Sequence, residues 1–381
     1  MNTFSYSCPT KVIFGDGQLS FIHNSLPSLH KNVLVVSSKT AAIKSGALDT
    51  IKKSFHESRI RIFYKNTISP NPRLTEVDEL AAFCIDNEIT ALIAVGGGSV
   101  IDAAKAVSLL VPSKLSCKQL LKHDSSLIAP LFLIAIPTTA GTGSEVSKGA
   151  IVTDVENSWK GGIRGENVFP KVAILDPQLT ISLPKSITLE TGFDVITHAF
   201  ESLISKAANP ITRMYSLSAL EIAIPALILA AEDKASLEVR SKLMYASLLA
   251  GYNLANSSTC LPHRLQYPLG AKTDSAHARG LAALYPTWFK LTYRFSPNEF
   301  DFIGTIINRS LGVQSLVNDE VSSTTAIISL LVKIEMSHKL RDFGVQLGQC
   351  EQLAREVDGN LAFDPGCTKF ETISHIYKGS W

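Results

Sequence analysis

The spacing of apolar residues changes once along the chain, and this change constrains the fold more than any other feature. Through about residue 175, short β-branched or apolar runs alternate with helical periodicity, and strands are predicted at 32–36, 59–64, 91–95 and 131–136. Such alternation predicts a parallel sheet covered on both faces. From about Pro184 the spacing is helical almost throughout, and "DPQLTISLPK" offers a break before it. We therefore predict an α/β domain over residues 1–182 and an all-helical domain over residues 183–381.

Charge and apolar content exclude several classes of protein. Lysine plus arginine number 36 and aspartate plus glutamate 34, which argues against a nucleic-acid-binding scaffold. The longest apolar runs have about half the length of a bilayer span, and the N-terminus has neither a basic nor an apolar signal region. The six cysteines lack CxxC spacing and are expected to be reduced and mostly buried. We expect a cytoplasmic protein without a membrane or nucleic-acid partner.

Two small-residue loops follow predicted strands. "ALIAVGGGSVIDAAK" places three glycines between a strand and a helix that begins near Ser99, where free N–H groups and the helix dipole favour a phosphate. "PTTAGTGSEV" follows the strand at 131–136. Because ligands of parallel sheets lie beyond the carboxyl ends of the strands, the two loops suggest one ligand between them. The alternatives are a plain strand-to-helix turn and an ordinary connecting loop.

One carboxylate and three histidines suggest a metal site. Asp194 and His198 are four residues apart and share a helix face. His263 and His277 would lie about 21 Å apart on an unbroken helix, but we predict that Pro268 and Gly270 break it and that a loop at 272–275 returns the chain. The donor set suits Fe²⁺ or Zn²⁺ with a position left for substrate. The alternative is an exposed pair and structural histidines.

Three motifs, "GGGSVIDAAK", "PTTAGTGSEV" and "GFDVITHAFES", occur in an order and separation that resemble the iron-containing (group III) alcohol dehydrogenase family. The resemblance runs from about Pro9 to about Val357. It implies an N-terminal dinucleotide-binding α/β domain and an all-α C-terminal metal-binding domain, with metal and nicotinamide meeting in the cleft between them. It implies that the metal ligands are Asp194, His198, His263 and His277. It also implies contacts to the cofactor from Ser38, Asn71, Gly97, Gly98, Ser99, Asp102, Thr138, Thr139 and Lys160.

The chain departs from the family pattern near the third and fourth ligands. Tyr267 stands where the family usually has a histidine credited with proton transfer. The phenol of Tyr267 could donate or relay that proton instead. Arg264 and Arg279 follow or nearly follow ligand histidines, and guanidinium groups suit a carboxylate or phosphonate. The alternative for both arginines is a surface or dimer contact. "LPHRLQYPLG" resembles the phosphonoacetaldehyde reductase (hydroxyethylphosphonate dehydrogenase) branch.

The expected function is that of a metal-dependent, NAD(P)-dependent alcohol dehydrogenase that reduces a small aldehyde, including an anionic phosphonate aldehyde. Tyr267 and Arg264 are the predicted catalytic residues, and the resemblance implies a homodimer. Ser38, with Lys39 beside it, lacks the acidic side chain that repels a 2′-phosphate, which predicts that NADPH is accepted at least as well as NADH. Ser38 could instead only cap the following helix. The alternative functions are a dehydroquinate-synthase-like lyase and a non-catalytic nucleotide-binding homologue.

Overall fold

The computed structural model describes residues 3–157, 159–366 and 368–381. The chain folds into two compact units, one over Ser7–Pro184 and the other over Lys185–Trp381 together with the first residues of the chain. The boundary between Pro184 and Lys185 lies two residues after the one predicted from the sequence.

The first unit is an α/β unit built on a six-stranded sheet in which every described strand pair is parallel. Its strand order is β1-β8-β5-β4-β2-β3, and β6 and β7 form a separate antiparallel pair. The elements are β1 Lys11–Phe14, β2 Asn32–Ser37, α1 Ala41–Lys44, α2 Ala47–Ser54, β3 Arg61–Lys65, α3 Leu74–Asp86, β4 Ala91–Gly96, α4 Gly98–Ser113, α5 Cys117–Leu120, β5 Phe132–Pro137, β6 Gly149–Asp154, β7 Trp159–Arg164 and β8 Val172–Leu175. The predicted parallel sheet is thus confirmed.

Both faces of this sheet are covered, as the uninterrupted apolar strands predict. Alternate residues of β4 enter opposite cores: Leu92 and Ala94 pack with α3 and α4 on one face. Ile93 and Val95 pack on the other face with α2 and the 3-10 helix at Gln18–Ser25. The sheet is therefore the middle layer of three.

The strand order places a topological switch point between β2 and β4. After β2 the chain adds β3 on one side and then returns to place β4 on the other side of β2. The connections leave in opposite directions there, which opens a crevice at the carboxyl ends of the two strands. The residues that follow β2 and β4, Ser38 and Gly97, are therefore at the edge where a dinucleotide fold holds its ligand.

Four strands of this unit are absent from the sequence prediction. The hairpin of β6 and β7 mixes glycine, lysine and threonine with few large apolar residues, so it has no strong strand signal. β1 and β8 are mostly apolar but only four residues long, which is too short a run to separate a strand from a helix segment. The third strand also begins at Arg61 rather than residue 59.

The second unit is helical in all its described regular elements, as predicted. Its helices are α6 Lys185–Ile204, α7 Pro210–Ala231, α8 Leu237–Asn256, α9 Leu261–Thr273, α10 His277–Thr292, α11 Pro297–Leu311, α12 Glu320–Lys333, α13 Cys350–Arg355 and α14 Phe370–Gly379. Helix α7 is long and apolar enough to cross a membrane by length and composition alone. It packs against α6 and α8, and half of its most apolar window is buried, as in the core helix of a bundle.

The cysteines in the described part of the chain are free thiols, and Cys84, Cys117, Cys260 and Cys350 are buried. Four of the five described cysteines are thus buried, as expected. Cys367 lies outside the described residues.

Candidate functional site

The glycine loop after β4 is shaped by close packing against the loop after β5. A Cβ on Gly98 would lie 2.6 Å from Cγ2 of Thr142, and a Cβ on Gly97 would lie 3.2 Å from Oγ1 of Thr139. Gly97 has a φ of −78°, which any residue adopts, so space rather than backbone conformation requires glycine here. Helix α4 begins at Gly98 and runs for 16 residues, which leaves its first N–H groups available to an anion.

The two loops suggested from the sequence as one ligand site do lie side by side. β4 and β5 are neighbouring strands whose ends, Gly96 and Pro137, are in register. The N–H of Thr138 donates to the carbonyl of Gly96 across this end, at 3.0 Å. Thr138 and Thr139 are thereby held beside the N-terminus of α4.

Three of the predicted cofactor residues meet although they come from distant segments. The hydroxyl of Ser99 accepts a hydrogen bond from the N–H of Asn71 at 3.4 Å. Lys160 on β7 donates to Oδ1 of Asn71 at 2.8 Å. The hairpin missed by the sequence analysis thus brings an ammonium group to the loop at the start of α4, where it could attract a phosphate.

Asp102, another predicted cofactor-binding residue, uses both carboxylate oxygens for hydrogen bonds within the protein. One carboxylate oxygen accepts from the hydroxyl of Ser144 and the other from the N–H of Ile151 at 2.9 Å. Burial raises the pKa of Asp102, and nearby Lys105 opposes this shift. Asp102 therefore fixes the loop after β5 and the start of β6 to α4.

The sequence analysis missed Lys105 and Glu145, which are buried below the same loop. Lys105 is fully buried and donates to Ser144, to Ser147 and to the carbonyl of Gly149 at 2.8–3.2 Å. Burial lowers the pKa of Lys105 to about 8, although Asp102 and Glu145 favour its charged form. Burial raises the pKa of Glu145 to about 7, against the influence of its own backbone N–H and of Lys105. The spacing of three residues between Asp102 and Lys105 on α4 was a signal for Lys105.

Ser38 directly follows β2, and its hydroxyl accepts from the N–H of Ala41 at 3.4 Å. The N-cap of the short helix α1 is Thr40, so Ser38 lies two residues before the cap position and accepts from the first N–H of the helix. Its position at the switch point also leaves it beside the expected ribose site.

In the helical unit, helix α6 carries Asp194, His198 and Glu201 at spacings of four and three residues, so all three share one face. The other two histidines come from α9 and from the first residue of α10. The prediction that Pro268 and Gly270 break the helix is wrong. Helix α9 continues through both to Thr273, and the chain turns at Asp274, which has a left-handed φ of 50°.

Of the four predicted metal ligands, the three histidines surround one carboxylate oxygen of the fourth, Asp194. Oδ1 of Asp194 lies 3.7 Å from Nε2 of His198, 3.8 Å from Nε2 of His263 and 3.7 Å from Nε2 of His277. Donor atoms of Asp194, His263 and His277 lie within 4.8 Å of one another. The ring of His198 stacks on that of His263 with centroids 4.6 Å apart. Donors that surround an ion tetrahedrally at about 2.1 Å are separated by about 3.4 Å, so the spacing suits a small divalent ion.

Two further residues, missed from the sequence, hold the imidazoles from behind. Both carboxylate oxygens of buried Glu201 lie 2.9 Å from Nδ1 of His263. Oε1 of buried Gln266 lies 2.7 Å from Nδ1 of His277. An imidazole whose Nδ1–H donates to such an acceptor presents the lone pair of Nε2. The helical spacing of Glu201 from Asp194 was a signal for one of them.

The electrostatics of this cluster also fit a cation. Burial would raise the pKa of Asp194, but His198, His263 and His277 hold it well below its usual range. Burial would lower the pKa of His263, but Glu201 and Asp194 raise it to about 10. Within the described residues, Oδ1 of Asp194 and Nε2 of His263 have no hydrogen-bond partner although both are buried. A carboxylate oxygen and an imidazole nitrogen that are both buried without a hydrogen-bond partner and lie 3.8 Å apart are typical ligand atoms of a metal centre.

Arg264 and Arg279 have different surroundings. Arg264 is 6% exposed and donates to the hydroxyls of Tyr267 at 3.2 Å and Ser258 at 3.5 Å. Among the described residues no carboxylate lies within 4.0 Å of it, and its buried Nε has no hydrogen-bond partner. Arg279 instead donates to Glu190 at 2.7 Å and is partly exposed. Of the two arginines, Arg264 therefore carries the buried charge that no described carboxylate compensates.

Tyr267 lies four residues after His263, on the same face of α9, and is partly buried. Its phenol oxygen accepts from Arg264. The two predicted catalytic residues are thus in contact.

The comparisons with known proteins agree with this arrangement. Residues 9–177 match the iron-containing alcohol dehydrogenase family, and residues 188–381 match the C-terminal domain of the Fe-containing alcohol dehydrogenase family. A 1,3-propanediol dehydrogenase of Klebsiella pneumoniae is 30% identical, with 98% of each chain covered.

Solved structures agree in fold over the full length. A 1,3-propanediol oxidoreductase superposes with a TM-score of 0.92 at 28% identity, with 100% of each chain covered. A sulfoacetaldehyde reductase of Bifidobacterium kashiwanohense, solved in complex with NAD⁺, superposes with a TM-score of 0.85 at 27% identity, covering 99% of this chain and 98% of that one. The chain belongs to the iron-containing alcohol dehydrogenase family, whose members are oxidoreductases.

Proposed function

We propose that this protein is a metal-dependent, NAD(P)-dependent alcohol dehydrogenase that works as a reductase of a small anionic aldehyde. The observation that carries the proposal is the position of three imidazoles, those of His198, His263 and His277, with Nε2 3.7–3.8 Å from Oδ1 of Asp194. The glycine loop, Ser99 and Lys160 supply the phosphate-binding groups that a dinucleotide needs.

A divalent ion such as Fe²⁺ or Zn²⁺, held by Asp194, His198, His263 and His277, would supply Lewis acidity to the substrate oxygen, and a nicotinamide would supply the hydride. The residues of the chain orient these groups. Asp194 supplies the single negative charge among the four ligands. Glu201 and Gln266 fix the imidazoles of His263 and His277. Tyr267 takes the position of a proton donor, with Arg264 holding its phenol oxygen.

The proposal of an anionic substrate depends on Arg264. A buried guanidinium without a carboxylate partner is costly to fold, and a phosphonate, sulfonate or carboxylate on the substrate would compensate its charge. The structurally similar sulfoacetaldehyde reductase is named for an aldehyde of this kind. Phosphonoacetaldehyde is the candidate suggested by "LPHRLQYPLG".

The test compares kcat/KM of wild type, Arg264→Ala and Arg279→Ala on phosphonoacetaldehyde, sulfoacetaldehyde and neutral propionaldehyde. A charge-assisted hydrogen bond contributes about 1.5–3 kcal/mol, so Arg264→Ala should lose roughly tenfold to hundredfold on its anionic substrate and much less on propionaldehyde. Arg279, which Glu190 already neutralises, is the matched control and should change little. Equal losses of Arg264→Ala on anionic and neutral aldehydes would show that this arginine does not bind the anionic group and acts only through Tyr267 or the fold.

The proposal also includes a cytoplasmic homodimer that binds neither membrane nor nucleic acid. The near-balance of 36 basic and 34 acidic residues supports the last point. Sedimentation velocity of the purified enzyme tests the dimer.

A further inference from the structure

We infer that Gln266 is a positioning residue of the metal centre, which holds the imidazole of His277 in the tautomer and orientation that direct Nε2 toward Asp194. The inference rests on the proposed metal-dependent function. It concerns a residue outside the ligand set, and its test measures metal binding directly.

His277 is restrained from a neighbouring helix. It is the first residue of α10, and 28% of its side chain is exposed. The 2.7 Å contact from Nδ1 to Oε1 of Gln266 comes from the neighbouring helix α9. An Nε2 that binds a metal must keep its lone pair, so a neutral imidazole carries its proton on Nδ1 and needs an acceptor there.

The surroundings of Gln266 leave room for this side chain. Gln266 is fully buried, and two glycines face it. A Cβ on Gly270 would lie 2.7 Å from its amide nitrogen, and a Cβ on Gly280 would lie 3.1 Å from its Cγ. Gly280 is three residues after His277 on α10. The first turn of α10 therefore carries both the glycine that leaves space for Gln266 and the imidazole that Gln266 orients.

Gln266 holds His277 through its amide oxygen alone. Nε2 of Gln266 is buried without a hydrogen-bond partner in the part of the chain that the structure describes. A buried amide whose NH₂ group makes no hydrogen bond destabilises the folded state. An apolar residue at this position would not have that cost. The hydrogen bond to His277 accounts for a polar residue at this position.

The partner arrangement at His263 uses a charged acceptor. Glu201 makes the corresponding contact to Nδ1 of His263 at 2.9 Å, so one imidazole is held by a carboxylate and the other by a neutral amide. The substitution Gln266→Glu replaces the amide nitrogen by oxygen and breaks no hydrogen bond among the described residues. Both imidazoles would then be held by a carboxylate at Nδ1. The Gln266→Glu protein should therefore retain the metal.

The experiment measures the dissociation constants of Zn²⁺ and Co²⁺ by competition with a chelator, and the visible ligand-field spectrum of the Co²⁺ protein. The full-length variants are Gln266→Met, which keeps the size but removes the acceptor, and Gln266→Glu, which keeps the acceptor. Loss of such a support costs about tenfold to a hundredfold in metal affinity. We expect that loss and an altered Co²⁺ spectrum for Gln266→Met, and affinity equal to or tighter than wild type for Gln266→Glu.

Wild-type affinity and an unchanged spectrum in Gln266→Met would overturn the inference, as would an equal loss in Gln266→Glu. If Gln266→Met does not fold, Gln266→Glu decides alone: metal affinity tighter than wild type supports the inference, and affinity equal to or weaker than wild type overturns it. A wild-type protein that binds no stoichiometric metal would instead refute the proposed function.

Discussion

Glu145 gives the α/β unit a pH dependence whose sign and size follow from its burial. It lies on the loop after β5, is 3% exposed, and has a pKa of about 7 instead of the ordinary 4.5. The folded protein therefore holds this proton more tightly than the unfolded chain does. The contribution to stability is fully present below pH 4.5 and is lost as pH rises through 7.

The size of the effect follows from the two pKa values. A difference of about 2.5 between the folded and unfolded states corresponds to about 3 kcal/mol in the free energy of unfolding. About 2 kcal/mol of this is lost between pH 5 and pH 7.5. Glu145→Gln mimics the protonated carboxyl at every pH, so it should remove this dependence and be the more stable protein at pH 7.5.

The assay is urea unfolding followed by far-UV circular dichroism from pH 5 to pH 7.5, for wild type, Glu145→Gln and Glu166→Gln. Glu166 is exposed, so its variant should keep the wild-type slope. Curves for wild type and Glu145→Gln that run parallel over this range would refute the argument from burial.

Two further predictions concern the dinucleotide site. Gly98→Ala would place a methyl group 2.6 Å from Cγ2 of Thr142 and should weaken NADH binding through a distortion that costs about 1–3 kcal/mol. Fluorescence titration checks this against Gly348→Ala, where the methyl group meets open space; equal affinities would contradict the packing account. Ser38→Asp adds a charge that repels a 2′-phosphate and should shift the kcat/KM ratio toward NADH, whereas wild type should accept NADPH at least as well as NADH. Strong wild-type discrimination against NADPH would show that Ser38 acts only through its contact with the first N–H of α1.

The sequence predicted the α/β unit well because its central strands are buried on both faces. The runs at 91–95 and 131–136 are almost purely apolar and became β4 and β5, since a strand covered on both sides has no polar positions. The hairpin of β6 and β7 was missed for the opposite reason. Its sequence "GAIVTDVENSWKGGIR" mixes polar and glycine residues, and its position is fixed by contacts from Asp102 and Asn71 that are distant in sequence.

The candidate site shows a similar division. The pair of Asp194 and His198 follows from helical spacing alone. The loop at 272–275 was expected, and the chain does turn there, at Asp274. The expected helix break at Pro268 and Gly270 was wrong, because tertiary packing can stabilise a helix that contains a proline. Gln266 could not be found from the sequence, since its role depends on α9 and α10 lying side by side.

The central claim is that Asp194, His198, His263 and His277 form one catalytic metal site. Its most direct test compares wild type and His263→Ala after reloading with Fe²⁺ or Zn²⁺. Mass spectrometry measures the metal content, and absorbance at 340 nm measures aldehyde-dependent oxidation of NADH and NADPH. Circular dichroism controls for folding. The account predicts one bound ion per chain and net nicotinamide turnover in wild type. It predicts a folded His263→Ala protein with lowered metal content and almost no turnover. A His263→Ala protein with full metal content and full turnover would contradict the account.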